Sequence, residues 1–580
     1  MPCPFDARGI RMARTMVLCA AVAALALAAG CGRRGPELQT AEWDALVSEY
    51  IEGHFQANPT AAVNAGRHEF DGQLPDWSPE GLRKEAERLR SVRERAAAFD
   101  AASLDAGRKF EREYLLAAVG ARLFRQETVE EPYEDPGFYL GALAPDVYVS
   151  REYAALEQRM RAYIAYAKRV PGAGLQMIAN LRTPLPRTYA ELGRNTFRGL
   201  ASFYADDVPA VFRAVNDAAL QEEFEEANGA AIRAARELEA WFEKQRATAT
   251  EDFALGPERF RQMLRETEQV DIPLDRLEEI GRADLERNLA ALGEACAEYA
   301  AGRTVAECTE RVRQEKPTGG PVEGARRQLS ELKNFIVEQD LMTIPGTEEA
   351  LVAEAPPYQR SNLAYIRNPG PYETNLPSIY YIAPPDPSWS AAERSAYVPG
   401  EADLLFISVH EVWPGHFLQR LHRNRTRSQF AKLFGTQAAS EGWAHYTEEL
   451  MLDAGLGDGD PAVRIGQLVN ALLRNVRYLS AIGLHTKGMT VEESERMFRE
   501  SAYQDPGNAR QQAARGTFDP GYLNYTLGKL MIRKLREDWT ASRGGRAAWR
   551  EFHDEFLSHG GPPIPLVRRA MLGAEAGPPL

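Results

Sequence analysis

Helical periodicity constrains this chain more than any other feature of its sequence. From Leu274 through Leu277, Ile280, Leu285, Leu289 and Leu292, apolar residues return every three to five positions with Glu and Arg between them, as a helix with one face on a core and the other in water requires. Similar patterns run over 80–100, 150–170, 208–245 and 322–340. Strand signals are sparse. The best is Ser378-Ile379-Tyr380-Tyr381-Ile382, bounded by Pro377 and by Pro384-Pro385. The pattern predicts a mainly α fold with one short sheet, and the Pro-rich run 344–400 reads as long loops, which at that size are more often functional than idle. No internal repeat is present.

With 44% hydrophobic and 26% charged residues, 580 residues can bury a large core, and the formal charge of -14 carries no Lys/Arg-rich run outside the N-terminus. A nucleic-acid partner is excluded, because a phosphate backbone needs clustered cations to displace its counterions. Membrane contact is expected only at the start of the chain. There Arg8, Arg11 and Arg14 precede the apolar stretch Met16–Ala29, which ends in Ala28-Ala29-Gly30-Cys31. This reads as a lipoprotein-type signal peptide over 1–30, shorter than the roughly 20 apolar residues that span a bilayer. Ala28 stands where such signals usually carry Leu, so plain secretion to the periplasm is the alternative, and Met12 offers a second start. Residues 31–40, polar with Gly and Pro, are assigned to a tether from a lipidated Cys31. Gly32 supplies no acidic inner-membrane retention signal, which favours an outer-membrane anchor facing the periplasm. Export removes Cys3 and Cys19 and leaves Cys296 and Cys308, twelve apart, in an oxidising compartment where a disulfide is expected; the alternative is two buried thiols.

Five of the nine histidines (His410, His416, His422, His445, His485) lie between 410 and 485. Imidazole is a preferred zinc ligand and titrates in the range of catalytic acids and bases. The centre of this window is the apolar run Leu404–Ile407 followed by Ser408-Val409-His410-Glu411-Val412-Trp413-Pro414-Gly415-His416. In the standard H-E-x-x-H motif, histidines four apart share a helix face and the glutamate receives the proton of the attacking water. Here the second histidine is six on, about 240° round an unbroken helix. Pro414 and Gly415 stand in that gap, where the missing amide and the absent side chain predict a bend that swings His416 round to the metal. Downstream, Ser440-Glu441-Gly442-Trp443-Ala444-His445-Tyr446-Thr447-Glu448 places 441, 445 and 448 on one helix face. Glu441 with His410 and His416 makes the His2Glu set of a catalytic zinc site, and His445, one turn from Glu441, is the alternative to His416.

HEVWPGH and SEGWAHYTEE resemble the DUF885 family, bacterial proteins placed by similarity among the zincin-like metallopeptidases. The likeness extends through Asn58-Pro59, GRHEFDGQLP at 66–75, Gly256-Pro257-Glu258-Arg259-Phe260, Gly483-Leu484-His485-Thr486 and the segment 520–528, nearly all of the mature chain. The resemblance implies a single helical, zincin-like domain over 41–575, similar to carboxypeptidase Taq and the oligopeptidases, with the site in a deep cleft and one small sheet near it. It implies a zinc metallopeptidase of the cell envelope cleaving short peptides, with Glu411 as general base.

His485 and Tyr525 are candidates to donate hydrogen bonds to the oxyanion, with a packed core role as the alternative. Arg515, with Arg510 near it, is a candidate clamp for a substrate carboxylate. Tyr380 and Tyr381 are candidates to line a cleft whose strand edge takes an extended peptide, with sheet packing as the alternative. Two other functional readings stand beside the peptidase: a zinc amidase or esterase on another envelope substrate, and a binding lipoprotein without catalysis.

Overall fold

The computed structural model describes residues 36–580 apart from 357–359, 361–362 and 388. The signal segment 1–30 and Cys31 lie outside the described residues. Residues 36–40, assigned above to a tether, instead begin the helix Pro36–Ala57; proline is well suited to a helix start because its ring fixes φ and its missing N–H is unpaired there anyway.

The fold is mainly α. The expected periodic segments are helical, with two refinements: helix Leu156–Ala167 occupies only part of 150–170, and 208–245 divides at Asp217, whose side chain caps helix Ala218–Arg246. The elements that build the site, in chain order, are helix α1 (Leu274–Tyr299), strands β1 (Ala350–Glu354), β2 (Ala364–Arg367) and β3 (Ser378–Ile382), and helices α2 (Glu401–Glu411), α3 (His416–Arg425), α4 (Gln437–Asp453), α5 (Pro461–Thr486), α6 (Pro506–Phe518) and α7 (Asn524–Thr540). Cys296 near the end of α1 is disulfide-bonded to Cys308 in the next helix, Val305–Gln314.

The predicted strand is β3, and it is the central strand of a mixed sheet, parallel to β1 and antiparallel to β2. The run 344–400 is therefore not simply loop. It supplies the whole sheet, because two short strands too weak to stand out in sequence are fixed by pairing with β3.

Helix α5 passes through the middle of the largest core. Asp460 and Pro461 start it, and from Ala471 to His485 it is buried almost all round except at Leu473, the condition of a helix enclosed by others. Its polar side chains are consequently partnered: Asn475 donates to Asp284, and Ser480 meets Ser494 and Tyr522. The N-terminal helices close on the same body. Tyr50 and Tyr114 pack against Phe430, and Thr188 accepts a hydrogen bond from Thr517.

One ionic cluster joins α1, α4 and α7. Lys529, wholly buried, donates to Asp284 at 2.7 Å and stands 3.3 Å from Glu449, while Arg287 bridges the same two carboxylates. Burial alone would raise both acids. Lys529 and Arg287 outweigh it, holding Asp284 far below the carboxylate range and Glu449 down to about 2. Lys529→Met removes the wholly buried cation of the cluster and leaves the two anions to the more exposed Arg287 and Arg533, so it is expected to cost roughly 3 kcal/mol in chemical denaturation. Because both folded-state values are depressed, this stabilisation is complete above the unfolded carboxylate range and is lost as pH falls through it. Denaturation between about pH 5 and pH 2 should show that loss, and the double variant Asp284→Asn/Lys529→Met should show less of it.

Candidate metal centre

The two histidines of HEVWPGH stand on two helices and not on one bent helix. Helix α2 ends at Glu411, residues 412–415 make a turn, and α3 starts at His416. Proline cannot continue the amide ladder, and the chain is pulled back under the end of α2: Val412 and Trp413 donate to Ser408 O and Gly415 donates to Val409 O. A Cβ on Gly415 would lie 1.8 Å from the His410 carbonyl oxygen, so no side chain fits there. Trp443 of α4 clamps the turn by donating to Pro414 O at 2.9 Å.

The turn brings His410 and His416 together, with ring centroids 4.9 Å apart and planes nearly perpendicular. Glu441 of α4 completes the group: its Oε2 lies 3.5 Å from Nε2 of both histidines, and the three donor atoms all lie within 4.8 Å of one another. At bonds of about 2.0–2.2 Å, donors on a tetrahedral ion stand roughly 3.3–3.6 Å apart. Two imidazoles and a carboxylate at this spacing fit zinc. Helix α4 reaches this position through a close crossing with α7, where a Cβ on Gly442 would lie 2.4 Å from Gly528 Cα and one on Gly528 would lie 2.2 Å from Ala438 O.

Behind the donors stands Glu448, wholly buried on α4. It accepts from His410 Nδ1 at 2.7 Å, meets His445 Nδ1 at 3.3 Å, and pairs with Arg474 of α5 at 3.3 Å. The bond to Glu448 leaves His410 Nε2 for the cation. Burial works against the charged forms here and is overcome: the Glu448 carboxyl is held far below its ordinary range by Arg474 and His445, and Glu441 well below by the two histidines. The same two carboxylates push His410 up to about 9 against its burial.

Glu411 faces the cleft, and its Oε2 accepts from Ile366 N of β2 at 3.1 Å. Tyr525 stacks near His410 at 6.2 Å, with Arg477 of α5 over its ring at 4.9 Å. Burial and the Glu441 charge raise its phenol against the pull of Arg477 and Arg515, so it stays a proton donor. Arg515 lines the cleft, but Asp519 already engages its Nε and Nη2 at 2.9 and 2.8 Å. The cleft measures about 1800 Å³, more than a small metabolite needs, and takes β2 as one wall.

Five candidates fall elsewhere. His445 is not among the converging donors; it is wholly buried, lowered by that burial to about 4, and it supports Glu448. His485 is a core residue: Nε2 donates to Gly516 O at 2.8 Å, Nδ1 accepts from Leu255 N, and Phe260 stacks on the ring. Tyr381 packs against Tyr365 in a small cluster of its own and is absent from the cleft wall, and Tyr380 is buried against Ser408, because β3 is an interior strand whose edges are both occupied. Arg510 is exposed outside the cleft. Conversely, the role of Glu448, and Arg474 and Arg477 altogether, emerge only here. Arg474 and Arg477 stand three apart on a helix face buried in the core, a placement of charge that could have drawn attention to them in the sequence.

Fold and site together define a mainly helical protein with a candidate His2Glu metal centre in a large cleft. The family model described as "Bacterial protein of unknown function (DUF885)" matches residues 59–571, and the chain belongs to this family. Two solved structures share the fold. A candidate lipoprotein of unknown function from Shewanella oneidensis has 22% identity and a TM-score of 0.76, over 91% of this chain and 99% of that one. A candidate lipoprotein from Colwellia psychrerythraea has 19% identity and a TM-score of 0.78, over 92% and 98%. No curated protein matches the chain.

Glu448 carries a prediction of its own. Glu448→Gln keeps the volume but removes the anion that orients His410, and it is expected to weaken zinc binding 10- to 100-fold in a competition titration while leaving the stoichiometry at one.

Proposed function

We propose that this protein is a zinc-dependent hydrolase of the cell envelope, a peptidase acting on short peptides. The observation that carries the reading is the convergence of His410, His416 and Glu441 beside a carboxylate, Glu411, that faces the same cleft and is not one of the donors. When bound, zinc would polarise the scissile carbonyl and make water a nucleophile at neutral pH. The other parts fall to the chain's own residues. Glu411, held by the β2 amide, accepts the proton of the attacking water and passes it to the leaving amine. Tyr525 donates to the oxygen on which negative charge develops. The outer edge of β2 offers backbone groups to an extended peptide, and Arg477, whose Nε is on Gln512 and which has no carboxylate partner among the described residues, joins Arg515 in receiving a terminal carboxylate.

The envelope location rests on the Arg-then-apolar N-terminus ending at Cys31 and on the description of both structural relatives as candidate lipoproteins. Lipidation of Cys31 and an outer-membrane anchor facing the periplasm belong to the same proposal. Among the described residues no helix is long and apolar enough to cross a membrane.

Purified protein loaded with zinc is expected to hold one ion per chain and to generate new termini in a mixed peptide pool read by mass spectrometry. Glu411→Gln should retain the ion and lose about 10²- to 10⁴-fold in turnover; unchanged turnover would remove Glu411 from the role. His416→Ala should lose the ion, whereas His445→Ala should keep it, and the reverse result would reassign the ligand set.

A further inference from the structure

Helix α3 begins at His416 and carries Arg420 one turn later. Side chains four apart leave the same helix face, and both residues line the cleft. Most of the other cleft cations are engaged: Arg474 with Glu448, Arg515 with Asp519, Arg313 with Glu310, and Arg477 with Gln512 and the Tyr525 ring. Arg420 differs. Among the described residues it has neither an ion pair nor a hydrogen-bond partner for its guanidinium, and the charges that bear on it are the cations Arg423 and Arg151. Those two are held in place, Arg423 by donating to Ala431 O at 2.9 Å and Arg151 by Glu373 at 2.9 Å. Burial, with their repulsion added, lowers Arg420 to about 10, so it still carries its charge at neutral pH.

A half-buried guanidinium facing two more cations, without an anion, is costly unless something in the cleft supplies one. Its nitrogens are not sealed off, unlike Nε of Arg151 and Arg474. We propose that Arg420 forms a second oxyanion subsite beside the metal centre, which receives the carboxylate of an acidic side chain in the substrate. This rests on the peptidase reading and adds specificity to it. Side chains one helical turn apart sit about 5–6 Å from each other at Cβ, and an extended peptide advances about 3.3 Å per residue. The residue read by Arg420 therefore lies within about two positions of the cleaved bond. The planar fork of arginine suits a carboxylate bidentately, which lysine cannot reproduce.

The test compares peptide pairs that differ only by Glu or Gln within two positions of the cleaved bond, on zinc-loaded wild type, Arg420→Met and Arg420→Lys. The ratio of kcat/KM for the Glu peptide over the Gln peptide is expected to exceed ten in the wild type, to fall at least ten-fold in Arg420→Met and to be partly restored in Arg420→Lys. A ratio unchanged by either substitution would overturn the proposal. A binding arm separates its failure from failure of the peptidase reading. Glutarate and inorganic phosphate are titrated by calorimetry into the Glu411→Gln protein with and without Arg420→Met. Glutarate binding at least ten-fold weaker without Arg420 supports the subsite even if no peptide is cleaved. Equal glutarate binding in both proteins, no binding in either, or preference for phosphate over glutarate counts against it.

Discussion

The candidate centre depends on one ionised carboxylate that never meets water. Glu448 is wholly buried, and an isolated anion there would be untenable. Arg474 from α5 and the imidazoles of His410 and His445 make it tenable, so three helices are tied to one side chain. The direction of dependence matters. Glu448 keeps its charge because α5 brings Arg474 into the core, and His410 presents Nε2 to Glu441 and His416 because Glu448 takes Nδ1. The polar interior of α5 therefore sustains the orientation of a donor on a different helix.

Backbone proximity does the rest. Glu441 and Tyr525 sit next to the places where α4 and α7 touch, and that contact exists because Gly442 and Gly528 face each other with no room for a methyl group. The turn at 412–415 is a second crowded point, with Gly415 against the His410 carbonyl and Trp443 fixing Pro414 from α4. A larger residue at any of these glycines would move a donor by more than the roughly 0.5 Å that a functional constellation tolerates. The buried cluster of Lys529, Asp284 and Glu449 ties the same α4–α7 pair together, so the crossing is held by charge as well as by close contact.

How much of this is legible in the sequence follows from which interactions are local. The helices are, because apolar spacing and caps such as Asp460-Pro461 are short-range properties. The break between His410 and His416 is also local, since it follows from proline and glycine, although the sequence suggests a bend where the chain makes a full stop and restart. Glu441 can be found from its place in SEGWAHYTEE, but nothing in that segment says whether 445 or 448 turns toward the metal donors; Arg474 decides it, from a helix that starts at Pro461 and is placed only by packing. His485 illustrates the opposite failure. Its partners Leu255 N and Gly516 O come from distant segments, so a motif match cannot distinguish a satisfied core histidine from a free one. Tyr381 fails for a related reason: strand character is readable, but which strand is interior depends on two weak neighbours in a Pro-rich run.

The sheet has a more specific part than support. Strand β2 is an edge strand, and edges carry unpaired amides that a protein must occupy or protect. At Ile366 the occupant is Glu411. One oxygen is thereby fixed against β2 while the other remains for exchange with the cleft. The proposed general base and the proposed peptide wall would then be parts of one arrangement, because a strand that aligned a substrate by its backbone would also set the height at which Glu411 meets it.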